Sequence, residues 1–258
     1  MKEKTFYYKD ELSDDFAQEN IKPIKIDSNY KYIHKNVLWK IMSFIIYRVL
    51  AMPIAFIYSK VFFGLSFKNR EVLKKCKDTG YFIYGNHTQK IIDTFIPTLG
   101  NFPRKCHIVA HPDNVAVPIL GTFNKMMGGF PIPTDIKAVK NFLDAMEQFI
   151  LEKNVISIYP EAHVWPYYSK IRSFTSTSFK YPVKMNKPVF VFTTTYKRRK
   201  FLRPKIIVYI DGPYFPNKKL NLKEAQKELR DKVYNKMCYR SKNTDIEYYK
   251  YKKDEKND

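Results

Sequence analysis

Short apolar runs recur from residue 80 onward: "YFIYG" at 81–85, "CHIVA" at 106–110, "VISIYP" at 155–160, "PVFVFTTTY" at 188–196 and "KIIVYIDG" at 205–212. Each has strand length and is rich in β-branched or aromatic residues. Between several of them the period changes. In 136–151 the apolar positions Ile136, Val139, Phe142, Leu143, Met146, Phe149 and Ile150 recur at helical spacing. A last helix is predicted over 222–237, with Leu222, Ala225, Leu229, Val233 and Met237 on one stripe and Asn221 with Glu224 as a capping box. Strands alternating with helices predict a single-domain α/β fold, a mostly parallel central sheet flanked by helices.

The most apolar region lies upstream, "VLWKIMSFIIYRVLAMPIAFIYSKVFFGLSF" at 37–67. Its longest charge-free run, 49–59, is bracketed by Arg48 and Lys60 and is shorter than the roughly 18–20 residues of a spanning helix. Pro53 is expected to kink or split a helix there. The pattern therefore predicts an N-terminal two-helix element docked in a membrane interface, crowded with Trp39, Phe44, Tyr47, Phe56, Tyr58, Phe62 and Phe63. The expected organisation is a polar leader (1–36), interfacial helices (37–67), the α/β domain (68–240) and a flexible basic tail (241–258).

Composition sharpens this picture. The 258 residues carry 46 Lys+Arg against 25 Asp+Glu, a formal charge of +21, and 45% are hydrophobic. An AT-rich genome enriches lysine without any partner, yet the field still attracts anionic lipid surfaces. No helix-turn-helix, zinc-finger or RNA-recognition pattern accompanies the charge, so no specific nucleic acid partner is expected. Neither a P-loop nor G-x-G-x-x-G occurs. Three widely spaced cysteines, Cys76, Cys106 and Cys238, form no disulfide or zinc pattern. The polar, acidic start, with no apolar h-region before residue 37, predicts no signal peptide, and the expected location is the cytoplasmic face of the cell membrane.

One of only five histidines, His87, directly follows the glycine that ends the 81–85 run. Strand ends are where α/β proteins carry their sites. Asp93, six positions on, can accept a hydrogen bond from one ring nitrogen and leave the other as a base. The same Asp93 would equally decorate a helix N-terminus, and spacing alone does not separate the two.

"GNHTQKIIDTF" resembles the N-H-x-x-x-x-D block of the glycerolipid (lysophospholipid) acyltransferase superfamily, typified by bacterial 1-acylglycerol-3-phosphate acyltransferases. "VAHPDNVAVPILGTFNKMMGGFPIP" (109–133) is similar to that family's second block, "ISIYPEAHVWP" (156–166) to its F-P-E-G block, and "KPVFVF" (187–192) to the apolar strand after it. The order is the family's. The resemblance implies His87 and Asp93 as the catalytic pair and Gly85, Asn86, Pro160 and Glu161 at the substrate, with Glu161 holding the acceptor's head group; His163, beside Glu161, is either a further contact to acceptor or water or a packing residue against Trp165. Backbone N–H groups near Gly85 or the following helix start would stabilise the oxyanion. It further implies acyl-CoA or acyl carrier protein as co-substrate, membrane lipid as partner, and no metal or other cofactor.

Departures accompany it. Five residues, not four, separate His87 from Asp93. Thr134 and Asp135 stand where the family has a phosphate-gripping arginine, and Ala162, His163 and Val164 replace Gly-Thr-Arg. Arg172, Lys170 and Lys180 are the candidates to supply the missing charge. A thioesterase or hydrolase with the same base, and a lipid-binding pseudoenzyme on the same fold, are the rival readings.

Overall fold

The computed structural model describes residues 4–16, 24–116 and 120–254. Parts of the leader (1–3 and 17–23), residues 117–119 of the second block and the tail's last four residues lie outside them.

The chain begins with β1 (Lys4–Tyr8). The apolar region is one continuous helix, Val37–Phe63, in place of the expected pair. It comprises α1 (Val37–Phe44), a π-helical stretch (Ile45–Ala51) and α2 (Met52–Phe63). Asn36 caps its start by accepting from Leu38 N and Trp39 N, and Gly64, at φ 56°, closes it in a left-handed turn. Pro53 fails to split the helix because the π stretch lies directly before it. The widened turn moves the preceding carbonyls away from the proline ring and tolerates its missing N–H. The helix is long and apolar enough to cross a membrane by length and composition.

Downstream follow β2 (Ser66–Lys68), β3 (Tyr81–Gly85), α3 (Ile92–Asn101), β4 (Cys106–Ala110), α4 (Leu120–Met126) and β5 (Gly129–Pro131). Then come α5 (Val139–Leu151), β6 (Val155–Ile158), α6 (Lys180–Met185), β7 (Val189–Lys197), β8 (Lys205–Tyr214), α7 (Leu222–Ser241) and β9 (Tyr249–Lys253). Seven strands form one sheet in the order β2-β8-β7-β3-β6-β4-β5. Every neighbouring pair is parallel except β7 with β8. The expected mostly parallel sheet is observed. The helix expected over 136–151 opens with a 3-10 turn, Ile136–Ala138, and the one over 222–237 runs on to Ser241 with its capping box formed.

Alternation along the central strands sorts the core into two layers. Tyr81 and Ile83 of β3 and Phe190 and Phe192 of β7 face the N-terminal helix and α3, where Tyr47, Met52, Phe63, Ile92 and Ile96 pack. Phe82, Tyr84, Val189 and Val191 face α5 and α7, meeting Phe142, Met146, Leu229 and Val233. Central strands buried on both faces read as unbroken apolar runs, which is why the sequence showed them.

The ends of the chain depart from expectation. Tyr249–Lys253, placed by sequence in a flexible tail, pairs in parallel with Lys4–Tyr8 of the supposed leader. Tyr8, Phe16 and Tyr251 close around Trp165 at centroid distances of 4.8, 5.3 and 4.9 Å, and this aromatic burial holds both termini down.

Gly85 ends β3 opposite Phe192 in the β3–β7 register, and a Cβ there would lie 1.9 Å from the Phe192 ring. We expect Gly85→Ala to lower stability by about 3 kcal/mol, the upper end of ordinary overpacking. Urea denaturation should show the loss partly recovered when Phe192→Leu is added.

Candidate active site

Strand β3 delivers His87 to the C-terminal edge of the parallel sheet, and the turn after it leads into α3, whose first turn carries Asp93. His87 Nδ1 lies 2.8 Å from Asp93 Oδ2, with 20% of the histidine side chain and 1% of the aspartate exposed. The extra residue in the spacing is absorbed by the turn. Backbone N–H groups of Thr88 and Gln89 donate to the same Oδ2, each at 2.8 Å. Burial pushes the Asp93 carboxyl above its ordinary pKa, while the His87 hydrogen bond and the two amides pull it back. Because Oδ2 is acceptor-only when ionised, Nδ1 carries the proton and Nε2 keeps its lone pair.

The ring is held from several sides. It stacks on Tyr159 at 4.4 Å and 23°, and the Tyr159 hydroxyl donates to the Asp93 carbonyl. The His87 N–H donates to Glu161 Oε2 at 2.9 Å. In return Trp165 N donates to the His87 carbonyl (3.2 Å) and Tyr167 N to that of Thr88 (2.9 Å). The Tyr196 hydroxyl donates to Thr88 and accepts from Gln89 Nε2 at 3.0 Å. Tyr159, Thr88, Gln89 and Tyr196 were not singled out from sequence for these contacts; the position of Tyr159 two residues before Glu161 was the available signal.

Several expected roles change once burial is known. Glu161 is 3% exposed and fully engaged: Oε2 takes the His87 amide, and Oε1 accepts the Arg172 N–H at 3.0 Å. Both of its oxygens bind the backbone around the site, so it acts on the histidine loop. Burial raises its pKa, with Arg172 as the chief opposing influence. Arg172, 1% exposed, reaches Glu161 Oε2 at 3.5 Å and donates to the carbonyls of His163 and Glu11. It is therefore not the replacement phosphate grip. Asn86, 1% exposed, clamps β7 through both backbone groups of Thr194 (2.8 and 3.1 Å). Gly85 is required by the Phe192 ring. Half-buried Pro160 shapes the turn before Glu161, and His163 lies 3.4 Å from Asp15. Lys180, at the start of α6, has its ammonium over Tyr181, with nothing linking it to His87. The backbone amides of His87, Thr88 and Gln89 are committed to carboxylates, so they do not form the expected oxyanion site. Thr134 exchanges hydrogen bonds with Ile26, and Asp135 caps the turn that follows.

A histidine paired with a buried aspartate at a strand end is an arrangement for moving a proton off a hydroxyl or water. The model of a family described as Acyltransferase matches residues 64–196, just over half of the chain and the whole segment that builds this site. The chain belongs to the Acyltransferase family. No curated protein sequence matches it. Among solved structures, this acyltransferase is similar to the 1-acyl-sn-glycerophosphate (LPA) acyltransferase PlsC from Thermotoga maritima, at 16% identity and a TM-score of 0.49, covering 79% of this chain and 95% of that one.

The buried Glu161–Arg172 contact sets a test within this acyltransferase. We expect Glu161→Ala to cost about 3–5 kcal/mol, because it strands a buried guanidinium. Arg172→Met with Glu161→Leu should recover much of that stability in thermal denaturation without restoring activity, since the His87 amide has then lost its acceptor.

Proposed function

We propose that the protein transfers a fatty acyl group from acyl-CoA or acyl carrier protein to a hydroxyl of a lysophospholipid or glycerol-phosphate-type acceptor. The observation that carries this is the 2.8 Å His87–Asp93 contact at the end of β3, within the family's matched segment. His87 Nε2 takes the proton of the acceptor hydroxyl as its oxygen attacks the thioester carbonyl. Asp93 holds the tautomer and stabilises the imidazolium that forms. The tetrahedral intermediate then expels the thiolate, which at a thiol pKa of about 8.5 leaves with little acid assistance. No step asks for a metal.

The surface supports membrane-borne substrates. The N-terminal helix is tied to the domain along its length: Ser43 donates to Met126 O (2.8 Å), and Arg199 donates to Phe62 O (2.8 Å). Its other face exposes Val37, Ile41, Phe44, Val49, Ile54, Phe56, Val61 and Phe62. A helix about 40 Å long, held sideways in this way, lies in a leaflet instead of crossing it. The β7–β8 loop adds Phe201 and Leu202, 84% and 56% exposed, among Arg198, Lys200 and Arg203. This loop sits at the same sheet edge as His87, so apolar and basic groups flank the site together. An apolar cavity of about 130 Å³ between Met52, Ala55, Phe95, Ile108 and Val115 opens beside α3 and has the character to take part of an acyl chain.

The test is thiol release from long-chain acyl-CoA or acyl carrier protein in liposomes, with and without lysophosphatidic acid or neutral lysolipids. We expect acceptor-dependent release that falls roughly 10²–10⁴-fold in His87→Ala, and less steeply in Asp93→Asn. Acceptor-independent release at the full rate would identify a thioesterase instead, and no release with either donor would leave a lipid-binding pseudoenzyme.

A further inference from the structure

A second cavity lies far from His87. It holds about 340 Å³ between the start of the N-terminal helix and the N-terminal ends of β4, β5 and β6. His87 and Glu161 follow the C-terminal ends of β3 and β6, so the two sites occupy opposite edges of the parallel sheet, separated by at least a strand length of roughly 13 Å.

Its lining is strongly one-signed. Lys31, Lys35, Lys40, Arg48, Lys105 and Lys125 surround it, and Glu152 is the one carboxylate among the lining residues. Glu152 is already engaged by Gln148 Nε2 at 2.8 Å. Lys105 is tethered to Ser43 Oγ at 3.2 Å and Lys125 lies 4.7 Å over the Tyr30 ring, so neither ammonium has a carboxylate partner in these contacts. Two imidazoles complete the wall. His107 is 6% exposed and stacked on Phe149, and its Nε2 is buried without a hydrogen-bond partner. His34, stacked on Trp39 at 3.9 Å, has the same orphan Nε2. Burial holds His107 well below the ordinary histidine range, with Lys105 adding to the effect. Burial likewise lowers Lys105, Arg48 adds to it, and Glu152 opposes it. Six cationic side chains around one cavity are complementary to an anion with several acceptor oxygens.

We propose that this cavity binds a phosphate-bearing anion, the head group of an anionic phospholipid in the leaflet that receives the N-terminal helix. The lipid source follows from the wall that the N-terminal helix supplies. Lys40, Ser43 and Arg48 line the cavity, while Val37, Leu38 and Ile41 of the same helix are exposed for acyl chains to lie along. This rests on the helix lying in a leaflet, as proposed above, and not on acyl transfer.

Trp39 lines the cavity and serves as the reporter. The full chain is titrated at one ionic strength with phosphatidylglycerol vesicles, phosphatidylcholine vesicles, inorganic phosphate and adenosine 3′,5′-bisphosphate. Lys105→Gln with Lys125→Gln should weaken phosphatidylglycerol binding roughly 30-fold, at about fivefold per lysine, and leave phosphatidylcholine binding unchanged. Saturable response to the soluble phosphates, lost in the variant and without preference between vesicles, would keep the anion site and assign a soluble source. If neither vesicle binds while phosphate still does, the membrane reading fails and the phosphate site stands. Exposed Lys35→Gln with Lys40→Gln gives a second pair that leaves the packing intact. Equal binding of all probes by wild type and both pairs would overturn the proposal. So would an absence of binding by wild type.

Discussion

The buried carboxylate of Asp93 organises this site. One oxygen gathers the His87 ring and the amides of Thr88 and Gln89, so the turn between β3 and α3 folds around it. A charge so enclosed is tolerated only with such donors, and the donors are placed only if the turn closes correctly. A second buried carboxylate, Glu161, repeats the logic one strand away by taking the His87 and Arg172 amides. His87 is thus fixed through both its ring and its backbone, by one acid in the helix that follows β3 and one just past the adjacent parallel strand β6.

That construction explains which parts of the site were legible. His87 and Asp93 stood out because a glycine-terminated apolar run points to a sheet edge, and a scarce residue there is informative. The contributions of Glu161 and Arg172 were not legible, because their meaning lies in burial. On the surface each would bind a ligand; at 3% and 1% exposure each serves the other and the histidine loop. The clamp from Asn86 was hidden for the same reason, since its amide mimics a strand neighbour for Thr194.

The fold divides along similar lines. Strands β3, β4, β6, β7 and β8 announced themselves through continuous apolar runs, and α5 and α7 through their period. β2 and β5 are three residues each, too short for any period to register. The β1–β9 pairing joins the two ends of the chain, and no local pattern encodes a partner so distant. The continuity of the N-terminal helix through Pro53 depended on a π stretch that propensity does not foresee.

Charge and apolar surface, ambiguous as totals, gain meaning from position. A net +21 spread evenly would favour any polyanion weakly. Here one helix links two differently furnished ends: its start walls a cationic cavity, and its end meets the loop carrying Phe201 and Leu202. Both ends share the exposed apolar face between them. A bilayer surface is the environment that satisfies all three features at once, because it offers hydrocarbon to the face and phosphate to the cations. In that orientation the His87 edge lies beside the apolar loop, which is the placement that the proposed transfer to a lipid hydroxyl requires.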